Sequence, residues 1–428
     1  MNLPRDVAGR FSYGPAEYPL RRRITDAFEH VTRSYGYEQV ETSALERREY
    51  LTLLWGGGMD GDIFSLPAQD GQALALRFDA TLPCIRMYLD AVADGARAPR
   101  RWAMVSECFR RDPIGDDRRW SFIQLNAESF GYGGVQIDAE IVELMAETLG
   151  RAGLGPGEFA VHVNDRRLVT DLLAQSGGDV RRLLHVLDRH PDDSPPALFD
   201  ALVGDGRLDR DRARWLVDVL ALTTERNALE RVAAHTRSVD ARRGIESLAA
   251  LLEIEPAANL RLDLCIVRGL DYYSGLVFEC FARSTRSALG AGGRYDSVIE
   301  QLGGPPTPAV GMAIGLVPLM RLLTDRSGAL PRKASVEYVV GCATTTFDTV
   351  TRCRQILSRL RSDGNTCILF PGEQDWDSLS AAAKQHDARW ALLISAASQP
   401  DHVLRRDMWH DSLEQLPLID LCASHVER

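Results

Sequence analysis

The stretch that most constrains this chain is RGLDYYSGLVF, residues 268–278. It joins two apolar runs of strand character, 262–267 and 276–281. Between them sit a cation, an acid and two tyrosines, and the spacing of Gly269, Ser274 and Gly275 is hostile to a helix. Charged and phenolic groups held at a strand end, between two buried strands, line a polar pocket for a small ligand. The plainer alternative is a tight turn with a surface arginine and two core tyrosines.

The chain around it has 428 residues, too many for one compact core and suited to two or three domains. It is 45% hydrophobic and 26% charged, as soluble enzymes are, and no apolar run reaches the length of a membrane span. The N-terminus, MNLPRDVAGR, has no apolar core and so is no secretory signal. The eight cysteines are scattered without a CxxC pair, which predicts reduced core thiols in a cytosolic protein. The nine histidines show no metal-binding spacing. Only Lys333 and Lys384 are lysines, which excludes a lysine nucleophile in residues 1–330. The net charge of −10 argues against strong nonspecific nucleic-acid binding and leaves room for a local basic face.

RGLDYYSGLVF resembles the histidine-specific motif of histidyl-tRNA synthetases, which are class II aminoacyl-tRNA synthetases, and further stretches resemble that family's motifs in family order. A helix predicted over about 19–35, with Leu20, Ile24, Phe28 and Val31 at helical spacing, precedes YGYEQVETSALE. That string is similar to motif 1 and implies a homodimer, with Ser43 where the family has proline. Residues 59–86 read as a hairpin turning near Gln69, Asp70 and Gly71. LRFDATLPCIRMY follows and looks like the family's LRYDLTVPFARY. By that likeness Asp79 and Thr81 hold the α-amino group of the amino acid, which suits an ammonium's need for a carboxylate and a hydroxyl. The alternative is a capping pair ahead of a helix starting near Pro83.

Residues 101–131, two extended runs around a loop rich in arginine and aspartate, resemble motif 2. The likeness puts Arg110 on the α-phosphate, Asp112 beside it, and Arg118 on the outer phosphates. Gln124 and Glu128 share a strand face and match the pair that grips the amino group and imidazole of histidine. Trp120 occupies the place of a second loop arginine. Further on, GAGGRYDSVIEQLGGPPTPAVGMAIGLVPLM resembles the family's AGGRYD string and motif 3. Gly292 and Gly293 permit close approach of backbone to a ligand, and Tyr295 completes the pocket wall. Motif 3 ends in Gly-Leu-Glu-Arg. Here Gly315 and Leu316 run into Val317 and Pro318, with Arg321 about one helical turn on.

Two regions have a different texture. Residues 157–236 are helix-rich and resemble the insertion domain that grips the tRNA acceptor arm; a helical insertion with no partner is the alternative. Residues 334–428 alternate strand and helix, predicting a small, largely parallel sheet. They resemble the family's anticodon-binding domain, yet hold 9 Lys/Arg against 13 Asp/Glu, a net of −4, the wrong sign for docking RNA.

The expected architecture is α/β: a class II synthetase-type antiparallel sheet core with helices, a helical insertion, and a small C-terminal α/β domain. The expected boundaries are 1–155 and 237–330 for the core, 156–236 for the insertion and 334–428 for the last domain. The resemblance implies activation of histidine, or a close analogue, by ATP with Mg²⁺. Arg110 and Arg268 would stabilise the α-phosphorus, and Gln124, Glu128, Tyr272, Tyr273 and Tyr295 would read the side chain. The acceptor is tRNA, or a non-tRNA amine or carrier. One alternative is a non-catalytic histidine-binding regulatory subunit like that of ATP phosphoribosyltransferase. Another is an RNA-binding regulator built on an inactive synthetase.

Overall fold

The computed structural model describes residues 12–53, 61–67, 71–95, 99–111, 119–155, 157–189, 194–224, 227–254, 259–268, 272–284, 288–327, 336–395, 402–417 and 421. The chain divides into two compact units, 1–330 and 331–428.

Among the described residues of the first unit, eight strands form one sheet. They are β1 (Glu38–Gln39), β2 (Arg100–Phe109), β3 (Ser121–Phe130), β4 (Phe159–Asp165), β5 (Leu260–Leu262), β6 (Leu276–Ala282), β7 (Ala288–Arg294) and β8 (Ala309–Gly315). Their spatial order is β1-β2-β3-β8-β7-β6-β4-β5. Neighbours are antiparallel except at the two ends, where β1 runs parallel to β2 and β4 parallel to β5.

One sheet face is covered by helices. Helix α1 (Tyr18–Ser34) buries Leu20, Ile24, Phe28 and Val31, the residues whose spacing predicted it. They pack with Ile123, Leu125 and Ala127, the odd positions of β3. Helix α3 (Val135–Ala152) adds Ile141, Val142, Met145 and Leu149 to the same core. Gly153 ends it at φ 122°, a conformation open to glycine and costly for other residues. The opposite face carries α2 (Thr81–Ala93), which begins two residues before Pro83. Beside it a small sheet pairs Leu74–Leu76 with Leu45–Arg47 and Ser65–Leu66. Gln69 and Asp70 of the expected hairpin turn lie outside the described residues.

The helix-rich stretch opens with β4, which belongs to the large sheet, and continues through α4 (Arg166–Gln175) and further helices to Ile254. Two side chains at the β4–α4 junction clasp the segment leading to residue 268. Asn164 Nδ2 donates to the carbonyls of Leu264 (3.1 Å) and Ile266 (2.9 Å). Arg166 Nη1 donates to those of Val267 (2.8 Å) and Arg268 (3.3 Å). Beyond β8 the chain enters α5 (Leu316–Ser327), with Pro318 in its first turn. Proline is tolerated there because the missing N–H has no partner inside the helix.

Among the described residues of the second unit, five strands form a sheet. They are β9 (Tyr338–Cys342), β10 (Cys367–Glu373), β11 (Trp390–Ile394), β12 (His402–Asp407) and β13 (Ser412–Pro417), in the order β10-β9-β11-β12-β13. Helices α6 (Phe347–Ser362) and α7 (Trp376–Gln385) lie where the alternation predicted them. The sheet differs from the expected one: β9 pairs in parallel with β10 and β11, while β12 and β13 add an antiparallel hairpin. The inward positions of β12 include Arg405 and Asp407, so no apolar alternation announces the strand. Arg405 pairs with Glu414 at 2.6 Å, and Asp407 accepts the backbone N–H groups of Trp409 and His410 that shape the turn.

Candidate active site

Register across the sheet builds a trough on the face away from α1. The even positions of β3 put Gln124, Asn126 and Glu128 on this face. Opposite them on β8 stand Gly315, Ala313 and Gly311. Ala291 and Gly293 of β7 continue the floor, and Glu279 of β6 closes the row that begins at Asn126. Small residues between polar walls leave a cavity of about 190 Å³. The floor has no spare room at Gly311, where an added Cβ would lie 1.7 Å from Glu128 Oε2.

Two carboxylates shape the ends of this cavity. Glu128 is fully buried; the Thr81 hydroxyl donates to Oε1 (2.7 Å) and the Tyr295 hydroxyl to Oε2 (2.5 Å). Burial pushes its carboxyl up to about 7, against the pull of those two donors. Thr81 therefore holds Glu128. Asp79 is buried ahead of α2, where its Oδ1 accepts the Leu82 N–H (3.2 Å). Among the described residues its Oδ2 has no hydrogen-bond partner, although Asp79 lines the cavity. Asp79 thus caps the helix through Oδ1 and also lines the cavity. Burial raises this carboxyl to about 6, opposed by the Leu82 N–H and by Arg110.

The aromatic wall is Tyr272, Tyr273 and Tyr295, with ring centroids 4.8 Å apart for the first pair and 5.9 Å for Tyr272 and Tyr295. Burial raises all three phenols, so they are neutral donors at neutral pH. Tyr273 lies over Gly293, where a Cβ would meet its ring at 2.8 Å. Gly292 reaches the cavity through its backbone alone; a Cβ there would strike Phe278, 2.4 Å away. Of the two glycines, then, one seats a tyrosine and the other packs the sheet's far face.

Two arginines enter from distant parts of the chain. Arg110 follows β2, donates from Nη2 to the Phe78 carbonyl (3.2 Å) and lies over the Phe122 ring. Arg268 adopts φ 54°, uncommon for a non-glycine residue, and its Nη1 meets Glu279 Oε1 at 3.1 Å. Burial works against its charge, but Glu279 and Tyr273 more than offset that, and its pKa is raised. Gln124 also lines the cavity, with Oε1 accepting the Cys108 thiol.

Asp112 and Arg118 lie outside the described residues. Trp120 packs edge-on against Phe64. Arg321 reaches toward Asp325 (3.7 Å) on the exposed side of α5 and is not among the residues lining the cavity. Two lining residues with polar side chains escaped the sequence reading. Glu279 is the lone charge in the strand LVFECFA, and Asn126 lies in the same alternating set as Gln124 and Glu128; either pattern was a usable signal.

The raised carboxyls set a pH dependence. Unfolded, both titrate near 4. The folded chain binds these protons more tightly, so the stability they contribute is full below about pH 4 and falls as pH rises through about 6 and 7. Thermal melting of the ligand-free chain is expected to show a flatter slope between about pH 5 and 7 in Asp79→Asn. An unchanged slope would mean that Asp79 does not titrate in that window.

The family model for histidyl-tRNA synthetase matches residues 9–319. The histidine–tRNA ligase of Pyrobaculum arsenaticum is 30% identical over 423 residues, 97% of each chain. The solved histidyl-tRNA synthetase of Nostoc sp. PCC 7120 shares the fold with a TM-score of 0.78 at 20% identity, over 99% of both chains. A Bacillus halodurans C protein described as an ATP phosphoribosyltransferase regulatory subunit/histidyl-tRNA synthetase has a TM-score of 0.77 at 23% identity, over 92% of this chain and 99% of its own. The large antiparallel sheet with its helices is the class II synthetase fold, and the chain belongs to the histidyl-tRNA synthetase family.

Proposed function

We propose that the chain activates histidine with ATP and passes the acyl group to an acceptor. The observation that carries this is the division of labour between two buried carboxylates. Glu128 is held by two hydroxyls beside three tyrosines and suits an imidazole. Asp79 keeps one oxygen unpartnered and suits an ammonium.

With the amino acid so held, Gln124 faces its amino end. Arg110 can bridge carboxylate and α-phosphate oxygens with its planar fork. A carboxylate oxygen attacks the α-phosphorus, the bond to the bridging oxygen breaks, and pyrophosphate leaves with that electron pair. Arg110 and Arg268 stabilise the charge gathering on the α-phosphoryl oxygens. The acceptor nucleophile then attacks the acyl carbonyl and releases AMP. Mg²⁺, which the resemblance implies, would arrive with ATP and neutralise its outer phosphates. The acceptor is tRNA, as the Pyrobaculum relative's name has it, or a smaller amine or carrier. The motif 1 resemblance supports a homodimer, and the helices after β4 are the part suited to an acceptor arm.

Histidine-dependent pyrophosphate exchange tests this reading. Exchange above the no-amino-acid background is expected, and charging of tRNA then separates the acceptors. A second reading, a histidine-binding regulatory subunit without catalysis, is favoured by one observation: Pro318 stands where motif 3 has its arginine, and Arg321 does not line the cavity. Histidine binding without exchange is its outcome and would sink the first.

A further inference from the structure

One buried polar atom of the cavity has no task in this scheme. Asn126 sits in the middle of β3, 1% exposed, on the face toward the cavity and flanked there by Gln124 and Glu128. Across β8 and β7 its row continues as Ala313 and Ala291, both without a polar side chain. Among the described residues its Oδ1 has no hydrogen-bond partner. Its amide lies beside Glu128 and favours that carboxyl's ionised form. The reversed amide would set oxygen lone pairs against the carboxylate. A buried carbonyl oxygen without a donor is costly, and its presence in a pocket marks where a ligand supplies one.

We infer that Asn126 determines specificity, its Oδ1 accepting a hydrogen bond from a ring N–H of the bound amino acid. This rests on the histidine reading and deepens it. Charge decides which end of the substrate Asn126 meets. An ammonium goes to the unpartnered carboxylate of Asp79. The neutral carboxamide beside Glu128 and the tyrosines meets the ring. A site built to pair a substrate N–H rejects an isosteric ring lacking it more strongly than packing alone would, because the protein's own polar group is then left unpaired. The same shape without the N–H is therefore a poor ligand.

The test is calorimetric titration of the full chain with histidine and with 3-(thiazol-4-yl)alanine, a ring of similar shape with no N–H. The unaltered chain is compared with Asn126→Leu and with Asn126→Ala, and thermal melts identify the variants that remain folded. Both variants are expected to bind histidine about tenfold more weakly, about 1.4 kcal/mol, and the thiazole within about twofold of the unaltered chain, so that discrimination collapses. Equal losses for both ligands, or no loss for histidine in a folded variant, overturn the assignment while leaving the histidine reading intact. An unaltered chain that binds no histidine removes that reading and this inference together.

Discussion

Replacing Arg268 with alanine is expected to lower histidine-dependent pyrophosphate exchange by about 10²–10³-fold, the usual cost of removing one preorganised donor from developing charge. Two features of the site push the effect toward the upper end. The guanidinium lines the cavity, and the residue is held on a left-handed backbone. Its loss also takes from Glu279 the guanidinium it meets at 3.1 Å and makes the cavity proposed to receive ATP more negative. Removing one member of a partly buried ion pair costs more than removing both. The double variant Arg268→Ala/Glu279→Ala is therefore expected to exchange faster than Arg268→Ala alone. Lysine restores the charge without the two-pronged geometry and recovers only part of the rate. Steady-state exchange on the three variants decides the matter. A double variant slower than the single one would refute the role given to Glu279.

The second large effect is expected from a single methyl group. In Gly311→Ala the new Cβ falls 1.7 Å from Glu128 Oε2 and 3.0 Å from the Ala127 carbonyl. Glu128 has nowhere to retreat, because Thr81 and Tyr295 fix its two oxygens and the residue is fully buried. Either those hydrogen bonds break or β8 shifts. Overpacking of this kind costs about 1–3 kcal/mol of stability. Histidine affinity is expected to fall about a hundredfold, since a displaced carboxylate no longer meets the ring and its hydroxyl partners are left unpaired. Calorimetry and thermal melting on Gly311→Ala check both parts. Near-normal affinity would place the imidazole elsewhere in the trough.

The parts of this fold that could be read from residues alone are those with one buried face. The spacing of Leu20, Ile24, Phe28 and Val31 predicted α1 because its other side meets water. The hairpin β12–β13 escaped because Arg405 and Asp407 point inward, which reverses the pattern that marks a strand. At the site, Asp79, Arg110, Gln124, Glu128, Arg268 and the three tyrosines were all legible as residues. Their convergence on one cavity required the sheet order, which puts two strands between β3 and β6 and only alanine side chains between Asn126 and Glu279. Gly292 and Gly293 could not be told apart without register: a one-residue difference decides which face each serves. Thr81 was expected beside the ligand's amino group, and its hydroxyl donates to Glu128, a contact that spacing alone does not show.

The clasp at the β4–α4 junction has a mechanical consequence. Arg166 is the first residue of α4 and grips the carbonyls of Val267 and Arg268, the latter belonging to the arginine that faces the cavity. Asn164 anchors two carbonyls just before it, those of Leu264 and Ile266. The helical arm that begins at α4 is thus levered directly against the loop carrying Arg268. A load that tilts the arm's first helix is transmitted through one guanidinium to the backbone of another residue's guanidinium. A displacement of that helix would therefore reach the backbone beside the cavity through two side chains, Asn164 and Arg166.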